Sequence, residues 1–298
     1  MEQKLSYSIF RTKDVTKAVV FVIHGMQEHK DRYRDFANYL NSRQIAAVIY
    51  SLPGHKGSIA EEGVRGWFGD TDGWKTLVGS AVEIANMTRK EFPGVPIYCF
   101  GHSMGTMIGR VFLQNYDHMI DGIVLSGAPG YNPGAKVGKI LAQGMIRTKG
   151  GEGHSKMLDQ MVTGSFNKCV KDPKTPVDWL SYNTKNVQEY QKDEWCGFPF
   201  TISGYRDLFN LMILMNDPRN YHCTKNDLPI LFVAGEEDPC TGGKKGMESS
   251  IKTLNDSGYK NISKKIYPHM RHEILNECNR MEVMKDVADW ILQKCETV

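Results

Sequence analysis

Pro96-Ile97-Tyr98-Cys99-Phe100-Gly101-His102-Ser103-Met104-Gly105 is the stretch whose reading decides the fold. Mostly apolar or aromatic residues run into Gly-x-Ser-x-Gly, and a helical pattern follows from Thr106 to Tyr116. Strand, sharp turn, helix is the setting in which that pentapeptide carries chemistry. Such a turn puts Ser103 in a strained backbone conformation. A side chain at Gly101 or Gly105 would collide with the neighbouring strand or helix. Ser103 is left at the tip with its hydroxyl clear of the sheet. Met104 offers an N–H at the helix start, where donors are unpaired and the dipole favours negative charge. That is half of an oxyanion hole. The bland alternative is a Gly-rich turn with an idle serine, and the flanking strand and helix weigh against it.

Outward from this turn, strand and helix alternate. Lys17 to Ile23 reads as a buried strand, a helix spans Asp31 to Ser42, and Ile45 to Tyr50 is a second buried strand. Leu52-Pro53-Gly54-His55-Lys56-Gly57-Ser58 is a loop, and Trp74 to Phe92 is a long amphipathic helix. Gly122 to Ser126 is another strand. Strands apolar throughout predict a mostly parallel sheet with helices on both faces, an α/β fold. The rhythm breaks from Ala128 to Asn226, where only short helices are legible: Val137 to Met145, Ser155 to Val162 and Tyr205 to Asn216. The alternation resumes with the strand Leu228 to Ala234, a helix from Lys244 to Ser257, the strand Asn261 to Tyr267 and a helix from Met281 to Cys295. The expected organisation is a core of residues 1–127 and 227–298 with a helical cap of residues 128–226.

A serine hydroxyl needs a base, and the base an orienting carboxylate. In the α/β-hydrolase arrangement these come in the order Ser, Asp, His, each just after a strand. Asp238 follows the strand Leu228 to Ala234. Asp227 precedes that strand, and Glu236 and Glu237 lack an Asp-Pro turn to fix the carboxylate. His269 and His272 follow the last strand, and His272, deeper in the loop, is preferred. His24, His55 and His102 read as loop-holding histidines. His24-Gly25-Met26, after the strand Ala18 to Ile23, suits the second oxyanion donor, the N–H of Met26. In the cap, Leu208, Leu211, Met212 and Met215 are the candidate substrate contacts.

Together, His24-Gly25, Glu28-His29, Arg32-Tyr33, the serine turn, Asp238-Pro239 and Arg271-His272-Glu273 resemble the monoacylglycerol lipase and lysophospholipase group of α/β-hydrolases, in the serine aminopeptidase S33 (hydrolase-4) family. The resemblance runs from about residue 15 to residue 295. Cys196-Gly197-Phe198-Pro199-Phe200 is similar to bacterial members. The resemblance implies carboxylic-ester hydrolysis without a cofactor and a lid-like cap carrying an acyl-chain groove. Two departures stand out. Ser51 to Ser58 replaces the aspartate and Gly-His-Gly-x-Ser run of many relatives, and Thr106 follows the serine turn where a third glycine is common.

Composition narrows the remaining choices. A net charge of +3 over 298 residues, without a Lys/Arg block, argues against nucleic acid. No apolar run approaches the ~18 residues of a membrane span, and Met1 to Tyr7 shows no signal-peptide core. That leaves room for transient contact with lipid surfaces. Seven cysteines without a C-x-x-C pair argue against a disulfide framework or a zinc site and for a reducing, cytoplasmic setting. Three readings stay open: an esterase acting on single-chain lipid esters, a peptidase or amidase on the same fold, and a non-catalytic binder.

Overall fold

The computed structural model describes residues 4–59 and 63–295; Met1 to Gln3 of the N-terminal stretch lie outside the described residues. Seven strands form one sheet in the order β1-β3-β2-β4-β5-β6-β7. They are β1 (Tyr7–Phe10), β2 (Ala18–Ile23), β3 (Ile45–Tyr50), β4 (Ile97–His102), β5 (Gly122–Ser126), β6 (Ile230–Gly235) and β7 (Ile262–Tyr267). Only β1 runs antiparallel, paired with β3. Strands β2 to β6 are buried at every residue, which is why they read as unbroken apolar runs.

Alternate side chains of these strands build two cores. Val19, Phe21 and Ile23 join a layer with helices α2 (Gly73–Glu91) and α3 (Met104–Tyr116). Val20 and Val22 join the opposite layer with α1 (Arg34–Ser42) and α9 (Arg280–Cys295). Edge strand β7 is exposed along Ser263 to Ile266, and its Lys264 and Lys265 keep that edge from pairing with another chain.

Two elements escape a sequence reading. Strand β1 has four residues and no buried face to make a pattern. Helix α6 (Thr184–Lys192) is polar apart from Val187 and Tyr190. The helix expected from Asp31 splits into a 3-10 turn, Lys30–Tyr33, and α1.

Between β5 and β6 lie α4 (Ala135–Lys149), α5 (Lys156–Thr163), α6 and α7 (Ile202–Leu214). Helix α7 starts earlier than its apolar run because Thr201 caps it, accepting the Gly204 N–H at 3.1 Å. Every residue from Ile202 to Met212 is buried, since α7 packs on α2, α3, α4 and α5 at once. Helix α8 (Gly243–Asp256) follows β6 and buries Met247 and Leu254 in the core layer shared with α2 and α3.

The tightest approach in the core lies under the serine turn. A Cβ on Gly105 would stand 2.1 Å from the Ile23 carbonyl oxygen, so α3 reaches β2 only through a glycine. Gly105→Ala is expected to lower unfolding free energy in urea titration by about 3 kcal/mol or more, the upper range for overpacking.

Candidate active site

The loops after β2, β4, β6 and β7 meet at the carboxyl edge of the sheet, where ligand sites of parallel sheets lie. Ser103 sits between β4 and α3 with φ 50° and ψ −116°, the strained turn expected of it. Its N–H donates to the Ser126 carbonyl at 2.9 Å, tying the turn to β5. Its carbonyl accepts the Thr106 hydroxyl at 2.7 Å and the Thr106 N–H at 2.9 Å. The threonine that departs from the common glycine therefore braces the turn. The Ser51–Ser58 departure is a loop closed on itself and tied to the N-terminal stretch: the Ser58 hydroxyl donates to the Ser51 carbonyl at 2.8 Å and accepts the Ser6 N–H at 2.8 Å.

His272 is buried, and its Nδ1 lies 2.9 and 3.0 Å from the two carboxylate oxygens of Asp238. The Asp-Pro turn fixes that carboxylate: Asp238 Oδ1 accepts the Cys240 N–H at 2.8 Å. Burial disfavours the charged imidazole, but the Asp238 carboxylate outweighs it and lifts His272 well above the ordinary imidazole value. The competitors lie elsewhere. Asp227, Glu236, Glu237 and His269 are all exposed. His24, His55 and His102 are buried, and burial is the main cause that brings them down to about 3, 3 and 4. His24 Nε2 accepts the Leu52 N–H at 2.9 Å, and His55 Nδ1 lies 3.0 Å from the Pro53 carbonyl oxygen, so both hold loops.

A cavity of about 270 Å³ opens above Ser103. Ser103, His272, Met26 and Met104 line it from the sheet side, and Met161, Trp179, Tyr190, Leu208 and Met212 line it from the helical insert. Of the four expected contacts, Leu208 and Met212 line this cavity. Leu211 and Met215 do not line this cavity. Leu211 is fully buried, and Met215 faces Arg110, whose guanidinium meets its sulfur at 3.4 Å and its carbonyl at 3.0 Å. A helix buried all round gives no sequence signal for which face is open. Trp179, whose ring lies 5.0 Å from the His272 ring and tilted 38° to it, was invisible for a similar reason: it stands in a short 3-10 turn without periodicity.

One ionic cluster joins the loops around the cavity. Arg32 donates to Glu28 at 2.8 Å, to Glu273 at 2.5 and 2.7 Å, and to Asn186 of α6 at 2.9 Å. Asn186 also donates to Glu273 at 2.6 Å. Glu28 accepts the Gly25 N–H at 2.6 Å and the Tyr33 hydroxyl at 2.7 Å. Burial resists charge on both carboxylates, yet Arg32 holds them below the usual range. Gly25 is hemmed in: a Cβ there would meet Glu28 Oε1 at 2.7 Å and the Ser103 Cβ at 3.2 Å. The i,i+4 spacing of Glu28 and Arg32 is legible in sequence; their link to Glu273, 241 residues away from Arg32, is not.

Two further groupings carry ligand-type side chains among the described residues: His29 with Asp193 and Cys196, and Asp238 with Cys240 and His272.

The family model described as serine aminopeptidase, S33, matches residues 14–279. The chain belongs to this α/β-hydrolase family. It is similar to a monoacylglycerol lipase of Mycolicibacterium smegmatis, 23% identical over 97% of this chain and 93% of that protein. A monoglyceride lipase of Mus musculus is 26% identical, over 93% of this chain and 86% of the relative. Among solved structures, a thermostable carboxyl esterase from Bacillus coagulans with glycerol superposes with a TM-score of 0.91 at 24% identity, covering 99% of this chain and 95% of that one. A Paleococcus ferrophilus monoacylglycerol lipase superposes with a TM-score of 0.72 at 20% identity, covering 98% and 99%. These likenesses establish the fold.

The Asp238–His272 pair predicts a pH dependence for a hydrolase that uses His272 as its base. A general base works only when unprotonated, and Asp238 raises the pH at which His272 loses its proton. Ester hydrolysis is therefore expected to rise with pH through a midpoint above the ordinary 6.5. In Asp238→Asn the midpoint should fall, together with the plateau rate, in a kcat/KM profile.

Proposed function

We propose that this protein is a serine hydrolase of carboxylic esters, acting on single-chain lipid esters such as monoacylglycerols or lysophospholipids. One observation carries the reading: Ser103 and His272, whose ring is held by Asp238, line one cavity whose outer wall is mostly apolar. The Ser103 hydroxyl attacks the ester carbonyl while His272 takes its proton. The tetrahedral oxyanion is held by the N–H groups of Met26 and Met104, each donor contributing roughly 10²–10³ in rate. The imidazolium then protonates the leaving alcohol, and water repeats the sequence to free the acid. Every step draws on side-chain and backbone groups of this chain.

In this reading residues 128–226 form a cap over the core of residues 1–127 and 227–298, and an acyl chain lies against Leu208, Met212 and the aromatic rings beside them. Each buried methylene contributes ~0.8 kcal/mol. The outer face of α4 exposes Val137 and Ile140 beside Lys136 and Lys139, and α5 exposes Met157, which suits transient contact with a lipid surface. No helix among the described residues is long and apolar enough to cross a membrane. In this reading the setting is cytoplasmic, as seven cysteines without a C-x-x-C pair suggest.

A peptidase acting on free N-termini needs a carboxylate for the α-amino group. The carboxylates lining the cavity, Glu28 and Glu273, are both taken by Arg32. That favours the ester.

Ser103→Ala is expected to abolish hydrolysis of p-nitrophenyl esters and labelling by a fluorophosphonate probe while the melting curve is kept; labelling equal to wild type would place the nucleophile elsewhere. Met212→Asp is expected to lower kcat/KM for the laurate ester tenfold or more relative to the acetate ester. An unchanged laurate-to-acetate ratio in the folded variant would remove Met212 from the acyl site.

A further inference from the structure

Cys240 has no part in the chemistry above, yet it stands beside it. Its sulfur, a ring nitrogen of His272 and a carboxylate oxygen of Asp238 all lie within 4.8 Å of one another. The Asp-Pro turn creates this proximity: Cys240 is two residues past Asp238, and its own N–H anchors the carboxylate at 2.8 Å. Cys240 and His272 both line the cavity, so a small ion has a way in.

We propose that Asp238, Cys240 and His272 form a binding site for a thiophilic divalent cation such as zinc, and that filling it switches hydrolysis off. Zinc holds sulfur at ~2.3 Å and nitrogen or oxygen at ~2.0–2.2 Å, so tetrahedral ligand atoms stand roughly 3.3–3.6 Å apart. The Asp238–His272 contact of 2.9 Å needs to open by only a few tenths of an ångström, and Cys240 by a side-chain rotation. Water from the cavity takes the fourth position. A mixed sulfur, nitrogen and oxygen set selects zinc over magnesium and calcium, which favour oxygen alone.

The inhibition follows from proton bookkeeping and rests on the hydrolase reading above. The ring nitrogen facing Asp238 is Nδ1. Bonding zinc there displaces the Nδ1 proton, and the neutral ring carries its single proton on Nε2 instead. The Cys240 thiol proton leaves to solvent. An imidazole protonated at Nε2 donates to Ser103 rather than accepting from it, so the base is lost.

The other grouping, His29, Asp193 and Cys196, lacks this freedom. His29 Nδ1 accepts the Asp31 N–H at 3.2 Å, and Nε2 lies 2.7 Å from Asp193. None of its three residues lines the cavity beside Ser103. It serves as the internal control.

The test uses the full chain with cobalt(II) as a spectroscopic probe and zinc as inhibitor. Cobalt should give a thiolate-to-metal charge-transfer band in wild type and in Cys196→Ser, and none in Cys240→Ser or Cys240→Ala. Chelator-buffered zinc should inhibit p-nitrophenyl acetate hydrolysis reversibly, and magnesium should not. Zinc inhibition should weaken at least tenfold in Cys240→Ser, each variant measured against its own zinc-free rate. Zinc should also protect Cys240 of wild type from iodoacetamide, read by mass spectrometry, which requires no variant to fold. Absence of the band, or its loss in Cys196→Ser alone, overturns the site. A band without inhibition overturns the switch. Failure to hydrolyse any ester sinks the hydrolase reading, while the cobalt spectrum and the alkylation still judge the site.

Discussion

The structure around the cavity depends on one largely enclosed guanidinium, its side chain 11% exposed. Arg32 stands between Glu28, which holds the Gly25 turn, and Glu273, which directly follows His272 in the chain. The loop after β2 and the loop after β7 come from distant parts of the sequence, and each supplies one part of the proposed site: in that proposal, an oxyanion donor from the first and the base from the second. Asn186 brings α6 of the insert onto the same anchor. An isolated buried charge is costly, so each partner is needed once the others are in place. The cluster contributes definition of geometry more than net stability. A slip of one loop would leave a carboxylate without its cation.

The same burial sorts the histidines. His24, His55, His102 and His272 are all buried, and burial alone would leave each neutral. Of these four, only His272 has a carboxylate directly on its ring, and only it is lifted rather than lowered. His102 is packed 4.6 Å from the His272 ring, and its neutrality avoids a second positive charge beside the base. Four buried imidazoles in one region thus take different roles through one placed aspartate.

Much of this was legible in the chain. The fully buried strands β2 to β6 announce themselves because both faces need apolar side chains, and the serine turn announces itself because Gly105 has no room for a Cβ. Asp238 and His272 follow from strand order. Local pattern stops being informative where packing is made by distant segments. Leu211 and Met212 are neighbours in an apolar helix, yet only Met212 reaches the cavity, because α7 is enclosed on every side. Glu28, Arg32 and Glu273 stood out as a family resemblance before their contacts gave them a reason. Trp179, Cys240 and Asn186 gave no signal at all, since each gains its place only when two loops or a loop and the insert meet.

If Arg32 aligns the two loops, a variant that keeps the volume and removes the charge must lose rate before it loses substrate. The direct measurement is the steady-state kinetics of Arg32→Met with a p-nitrophenyl acetate substrate, well below its own Tm as found by circular dichroism. The account predicts a kcat lowered on the order of 10²-fold, the cost of displacing catalytic groups by about 1 Å, with KM changed far less. A folded Arg32→Met protein with wild-type kcat would contradict it.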